Sequence, residues 1–159
     1  LTTFGDEDAD LLSEKFQTNQ SLYAIGSGGL FGVGLGESRQ KYSYIYAAHN
    51  DFIFAIVCEE FGFIGCVIVL LILSFIIIRC FYNSQKARDV FGTMLCVGAG
   101  CLFLFHTAEN IGMCLNLLPV TGIPLPFFSS GGSSLMASYM ALGLVLNVRL
   151  RRKTYGLWG

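Results

Sequence analysis

The sequence predicts an all-α integral membrane protein with three transmembrane helices and a long extracytoplasmic N-terminal loop segment. Of its 159 residues, 53% are hydrophobic and 13% are charged, and the mean hydropathy is +0.60. This hydropathy is higher than a soluble domain of this length usually has. The 10 basic and 11 acidic residues nearly cancel, which argues against a nucleic-acid partner. We interpret the six cysteines, which include no Cys-x-x-Cys pair, as small hydrophobic residues.

The first predicted unit is an extracytoplasmic segment over residues 1–48 that is rich in glycine. Its interleaved apolar residues indicate a backbone folded tightly against the membrane surface. Gly28, Gly32 and Gly36 have small-xxx-small spacing, a weak signal outside an apolar span. Nothing near Leu1 has the features of a signal peptide, and the chain does not begin with Met. We therefore expect it to be a fragment of a longer protein.

The second predicted unit, residues 49–159, is a membrane region with spans at about 50–78, 90–115 and 132–148. The first span contains a run of 18 uncharged residues, which the apolar residues upstream make long enough to cross roughly 30 Å of hydrocarbon. In the second span, His106 and Glu109 share a helix face, which should be directed at protein.

The third span is expected to end where a basic cluster begins at Arg149. Seven of the ten cations follow the first and third spans, so these ends are assigned to the cytoplasm, together with the tail 149–159. Residues 1–48 and the loop 116–131 then lie outside the cytoplasmic membrane. This loop contains Pro119, Pro124 and Pro126 and is predicted to be a re-entrant or surface turn.

Two sets of residues outside the membrane are suited to chemistry. Asp51 precedes Phe52 at the outer end of the first span, where partial desolvation would raise a carboxyl pKa toward that of a general base. The alternative is that Asp51 caps the helix. The loop serines and the Gly131-Gly132 pair precede the third helix, whose N-terminus could bind an anion, or the serines could only cap it.

Glu59 and Glu60 lie inside the first predicted span. Each acid at such a depth costs roughly 2.5 to 3.5 kcal/mol on insertion scales. The pair therefore indicates a polar cavity, a partner cation or a function.

Four segments of the sequence together resemble the SEDS family of bacterial envelope proteins, which comprises FtsW, SpoVE and RodA. They are AIGSGGLFGVGLGESRQKY (24–42), HNDFIFAIVCEEFGFIG (49–65), NIGM (110–113) and LPVTGIPLPFFSSGGSS (118–134). The resemblance implies the C-terminal part of a fold with about ten transmembrane helices. It also implies a peptidoglycan glycosyltransferase that polymerises lipid II, works with a class B penicillin-binding transpeptidase and serves cell division, sporulation or cell shape.

The resemblance also assigns residues. Asp51 matches the family's catalytic aspartate, and Glu59 matches a second important acid. The sequence departs from the family pattern at Ala47, Ala48 and Ser130. The substrate-binding residues are expected to be His49, Glu59, Glu60, Arg39, Lys41, Thr121, Pro124, Pro126, Ser129, Gly131, Gly132, Ser133 and Ser134.

A departing pyrophosphate requires positive charge. The candidates are Arg39, Lys41, the part of the longer protein that this chain lacks, and a divalent cation, Mg²⁺ or Mn²⁺, whose ligands the sequence does not identify. Two other functions remain open at this point. One is a lipid II transporter with a polar path along Glu59, Glu60, His106 and Glu109, and the other is a non-catalytic scaffold for the transpeptidase.

Overall fold

The computed structural model describes residues 18–34, 52–129 and 131–154, the last three by backbone alone. These ranges contain four helices and no strand. They are α1 (residues 18–27), α2 (Ile53–Gln85), α3 (Val90–Cys114) and α4 (Gly132–Thr154). The last three are long and apolar enough to cross a membrane, which confirms the predicted fold class.

Two of the predicted span ends differ from the helix ends. α2 continues past Arg79 to Gln85, and α4 continues through the basic cluster to Thr154 instead of stopping at Val148. Charged residues limit how much of a helix lies in hydrocarbon, but Arg and Lys are good helix formers, so they do not end the helix itself. α1 is a further difference, because it lies in the predicted N-terminal loop segment.

α2 and α3 form an antiparallel hairpin joined by residues 86–89. Gly100 of α3 makes the close approach possible, because a Cβ there would lie 3.3 Å from Cys80 Cβ and 3.2 Å from the Phe81 ring. Small residues supply most of the buried face of α3, which consists of Gly92, Cys96, Ala99, Gly100, Phe103, Thr107, Asn110, Gly112, Met113 and Cys114.

Val145 of α4 completes a small core with Cys80, Cys96, Ala99 and Phe103. The two cysteines in it are free and buried, as is Cys114, so they behave as the small hydrophobic residues that we expected. His106 and Glu109 flank the buried face of α3 and are only half-buried.

Candidate functional site

A second core cluster joins the beginning of α2 to the end of α3 and to the proline-containing loop. Phe52 (1% exposed) lies in this cluster with Met113 at the end of α3, Leu125 of the loop (1% exposed) and Ala24 of α1. Because Phe52 directly follows Asp51 in the sequence, this cluster fixes the chain neighbour of the predicted catalytic residue against the loop that supplies five of the thirteen predicted substrate-binding residues.

The predicted residues that precede α2 lie outside the described part of the chain. They are Arg39, Lys41, His49 and Asp51, and the same is true of Ala47, Ala48 and Ser130. Their roles stay predictions. The N-cap position of α2 is occupied by Phe52, which makes no side-chain capping bond.

Both acids of α2 lie at an interruption of the helix. Glu59 is 3% exposed, and Glu60 is half-buried, with its Oε1 atom buried and without a hydrogen-bond partner among the residues that the structure describes. Gly62, two residues further on, has φ +68° and ψ −166°, which is not helical. The backbone carbonyls of the two acids accept hydrogen bonds from Val33 N–H (3.0 Å, to Glu59) and Gly34 N–H (3.2 Å, to Glu60).

The N–H groups beyond the interruption are paired in the same way. Phe63 N–H donates to the Gly29 carbonyl at 2.9 Å, and Ile64 N–H donates to the Leu30 carbonyl at 3.4 Å. In a regular helix these two N–H groups would bond to the carbonyls four residues earlier. We name residues 28–34 the glycine clasp, because this segment satisfies the backbone groups that the break exposes, as unwound backbone at membrane depth requires.

Glycine is required at three positions of this contact. A Cβ on Gly28 would lie 2.1 Å from the Cys58 carbonyl oxygen, and one on Gly32 would lie 2.1 Å from the Glu60 carbonyl oxygen. Gly32 and Gly62 also have positive φ, +81° and +68°. The small-xxx-small spacing was therefore the relevant signal, although the surface contacted by the clasp is α2, whereas the sequence suggested the membrane surface.

Cys58 and Cys66 form a disulfide across the break, with 5.5 Å between their Cα atoms. Eight residues of continuous α-helix would separate them by about 12 Å. The interpretation of all six cysteines as hydrophobic thiols is thus wrong for this pair. A spacing of eight gives no reason to expect pairing in a straight helix, and the break at Gly62 is what brings the two residues together.

The loop after α3 folds back on the last turns of that helix. Asn110, fully buried, donates from Nδ2 to the Ile123 carbonyl at 2.8 Å. Thr121 donates from Oγ1 to Glu109 Oε1 at 3.2 Å in an exposed position. The sequence did not single out Asn110 as a functional residue, although an amide inside a charge-free apolar run was the available signal.

The second half of the loop is held between α3 and α4. The Phe127 ring lies 5.3 Å from the Phe103 ring and 5.5 Å from the Tyr139 ring, and Phe127 has φ +66°. Pro126 and Ser129 beside it are buried. Pro124 is half-buried and Thr121 is exposed, so the predicted binding residues of this loop include both supporting and accessible positions.

The predicted anion site coincides with the first turn of α4. Gly132 and Ser133 are exposed, and a Cβ on Gly132 would meet no atom of the described residues within 4 Å. Ser134 donates its hydroxyl to the Gly131 carbonyl at 2.8 Å, so its hydrogen points away from an incoming anion. In the described ranges, no three His, Cys, Asp or Glu side chains come together in a way that could hold a metal ion.

Comparison with known families gives one match that covers nearly the whole chain. The model of the FtsW/RodA/SpoVE family, described as "Cell cycle protein", matches residues 1–154. Stage V sporulation protein E of Bacillus subtilis is 47% identical over 148 residues, which are 93% of this chain and 40% of that protein. A probable peptidoglycan glycosyltransferase FtsW of the same organism is 42% identical over 138 residues, 87% of this chain and 34% of that protein.

Solved structures agree with the sequence comparison. An aspartate-to-alanine variant of the rod shape determining protein RodA of Thermus thermophilus superposes with a TM-score of 0.64 at 36% identity, covering 83% of this chain and 40% of RodA. A chain of a peptidoglycan synthase complex that coordinates polymerization and crosslinking superposes with a TM-score of 0.66 at 30% identity, covering 83% of this chain and 36% of that one. The chain thus spans about two fifths of these relatives.

Proposed function

The chain belongs to the FtsW/RodA/SpoVE family of cell cycle proteins. On this basis we propose that the whole protein is a peptidoglycan glycosyltransferase, which polymerises lipid II into glycan strands. The observation that carries the proposal is the 42% identity to a relative named as a probable peptidoglycan glycosyltransferase. The core cluster that holds Phe52 against Leu125 supports it, because such packing fixes the chain beside Asp51 relative to the loop.

In this proposal, Asp51 is the general base. It removes the proton from the sugar 4-hydroxyl of the acceptor, whose oxygen attacks the anomeric carbon of the donor from the face opposite the pyrophosphate. The new C–O bond forms as the bond to the pyrophosphate oxygen breaks, so the configuration inverts. One base is sufficient because the pyrophosphate leaves without a proton, unlike the sugar oxygen in glycoside hydrolysis, which needs an acid as well.

The leaving group departs with negative charge that must be stabilised. Arg39 and Lys41 are the proposed cations, and the exposed first turn of α4 at Gly132 and Ser133 is the proposed anion-binding backbone. A divalent cation, Mg²⁺ or Mn²⁺, would supply the same stabilisation. The described residues contain no cluster of three His, Cys, Asp or Glu side chains that could hold this ion.

The charge distribution and the family support a location and an orientation in the membrane. We place the protein in the bacterial cytoplasmic membrane, with the basic ends of α2 and α4 inside and the catalytic side outside. The proposed partner is a class B penicillin-binding transpeptidase, because one structural relative belongs to a complex that coordinates polymerization and crosslinking.

The test is glycan-strand formation from labelled lipid II by the full-length protein, purified with its transpeptidase. Asp51→Asn should abolish the polymer while the complex remains intact. Asp89→Asn is the matched control, because Asp89 is exposed at the opposite end of the hairpin and should leave the rate unchanged. Normal polymer from Asp51→Asn would exclude the base, and normal turnover after neutralising Arg39 and Lys41 together would exclude their role.

Lipid II transport is the second candidate function, favoured by the burial of Glu59 and of Glu60 Oε1 inside α2. A transporter should depend on these acids and tolerate Asp51→Asn. Lipid II translocation into vesicles that contain Glu59→Gln or Glu60→Gln protein separates the two functions. Polymer loss only at Asp51 supports the transferase, and translocation loss only at the two glutamates supports the transporter. If neither activity depends on these residues, the scaffold hypothesis remains.

A further inference from the structure

The two halves of α2 are held at a fixed angle by backbone bonds to the glycine clasp. Four bonds cross between residues 29–34 and the break, and each half of α2 supplies two of the bonded groups. The outer half, residues 53–61, contains Glu59 and Glu60, is preceded by Asp51 and contacts the end of α3 through the cluster around Phe52. The inner half, residues 63–85, packs along the rest of α3. The angle at Gly62 therefore has to match the position that this cluster gives the outer half.

The same backbone groups have a second way to be satisfied. If α2 became continuous, Phe63 N–H and Ile64 N–H would bond to the carbonyls of Glu59 and Glu60. The clasp and the continuous helix are thus alternatives that use the same four groups of α2. Glycine at position 62 permits the clasped form, because φ +68° is a conformation that other residues rarely adopt.

The clasped and the continuous forms of α2 differ by a displacement that is large compared with what a catalytic site tolerates. Straightening would increase the Cα separation of Cys58 and Cys66 from 5.5 Å to about 12 Å, a shift of about 6 Å. A misplacement of about 1 Å can reduce turnover by about 100-fold. The predicted ligand-binding positions at the first turn of α4 and in the proline-containing loop lie on other elements, so moving the outer half would also disrupt the packing of Phe52 with Leu125 of the loop.

We propose that Gly62 and the glycine clasp are positioning elements for the transferase: they hold the outer half of α2 at the angle at which the chain leading to Asp51 reaches the acceptor. This inference rests on the proposed function. The glycine clasp, residues 28–34, thereby controls turnover through its backbone contacts with the break in α2.

The experiment compares Gly62→Ala and Gly32→Ala in the full-length protein with its transpeptidase, under reducing conditions so that the Cys58–Cys66 bond does not hold the break. Alanine at 62 favours the continuous helix, and alanine at 32 would place a Cβ 2.1 Å from the Glu60 carbonyl. The control is Gly26→Ala in α1, where a Cβ would meet none of the described atoms within 4 Å.

We expect Gly62→Ala to lower kcat about 100-fold and to leave KM within threefold of the wild-type value. Hydrogen exchange should become faster at the amides of Val33 and Gly34, which lose their acceptors, while the amides of Phe63 and Ile64 stay protected inside the continuous helix. Gly32→Ala should also lower kcat and release the first pair of amides, and Gly26→Ala should change neither readout.

Wild-type kcat in a variant with released Val33 and Gly34 amides would overturn the proposal. Fast exchange at all four amides would overturn it too, since that result means local unfolding instead of a change between two helix forms. Unchanged exchange with unchanged kcat in both variants would refute the clasp itself. If Asp51→Asn keeps normal polymer, the proposed function fails, but the exchange pattern still decides whether the clasp holds the break.

Discussion

Asn110 should control the local stability of the proline-containing loop. Its Nδ2 group is the buried donor to the Ile123 carbonyl, whereas Thr121 makes a parallel contact to Glu109 at an exposed position. Asn110→Leu preserves the side-chain volume and removes the donor. Thr121→Val is the matched change at the exposed contact.

The expected magnitudes differ because burial differs. A hydrogen bond contributes about 1 kcal/mol net, and a carbonyl left buried without a partner costs roughly 1 to 3 kcal/mol. We therefore expect Asn110→Leu to lower the free energy of loop opening by about 2 kcal/mol. Water can replace the partner of Glu109, so Thr121→Val should cost less than about 0.5 kcal/mol.

The assay is hydrogen exchange of residues 117–129, read by mass spectrometry on the full-length protein in detergent micelles. A change of about 2 kcal/mol corresponds to roughly 30-fold faster exchange where opening is at equilibrium. Thr121→Val should change the rate by less than about threefold. Unchanged exchange in Asn110→Leu, or equal acceleration in both variants, would refute the reasoning that burial makes Asn110 the dominant anchor.

Three other measurements test the packing of the described helices. Gly100→Leu should destabilise the α2–α3 hairpin by about 3 kcal/mol in denaturant titration, because a Cβ at this position already has close neighbours. Gly98→Ala should stabilise the hairpin by up to about 1 kcal/mol, because a Cβ at Gly98 meets no atom of the described residues within 4 Å. Alkylation before and after reduction, followed by mass spectrometry, should modify Cys58 and Cys66 only after reduction; their modification in the unreduced protein would contradict the disulfide. Phe127→Gly should be less destabilising than Phe127→Ala by about 1 kcal/mol in the same titration, since φ is +66° there, and the reverse order would contradict that conformation.

The three long helices were predictable because continuous apolar runs are sufficient to identify them. Their ends were less so: the basic residues after Val148 indicated where the hydrocarbon ends, while the helix continues to Thr154. The break in α2 could not be predicted from hydropathy, because Gly62 lies in an apolar run whether or not the helix is continuous. It depends on a partner backbone about thirty residues earlier in the chain.

A candidate site could be proposed from the sequence where residue type alone carries the chemistry. The acids of α2 and the proline-containing loop were identified as a set, and the structure brings the beginning of α2 and that loop into one core cluster. The residues that hold the loop in place were not identified, because the role of a buried amide such as Asn110 depends on a carbonyl acceptor 13 residues later in the chain. Asp51 remains a prediction from sequence.

The side chains of the glycine clasp take no part in its hydrogen bonds to α2. The contact with α2 is made by main-chain atoms, and Leu30, Phe31 and Val33 are directed outward, with Phe31 82% exposed. Substitutions at these three positions leave the backbone contact with α2 in place, whereas substitutions at Gly28 and Gly32 would disrupt it. The outward side chains are thereby available to contact the lipid or protein that covers this surface without any change to the backbone bonds that hold the helix break.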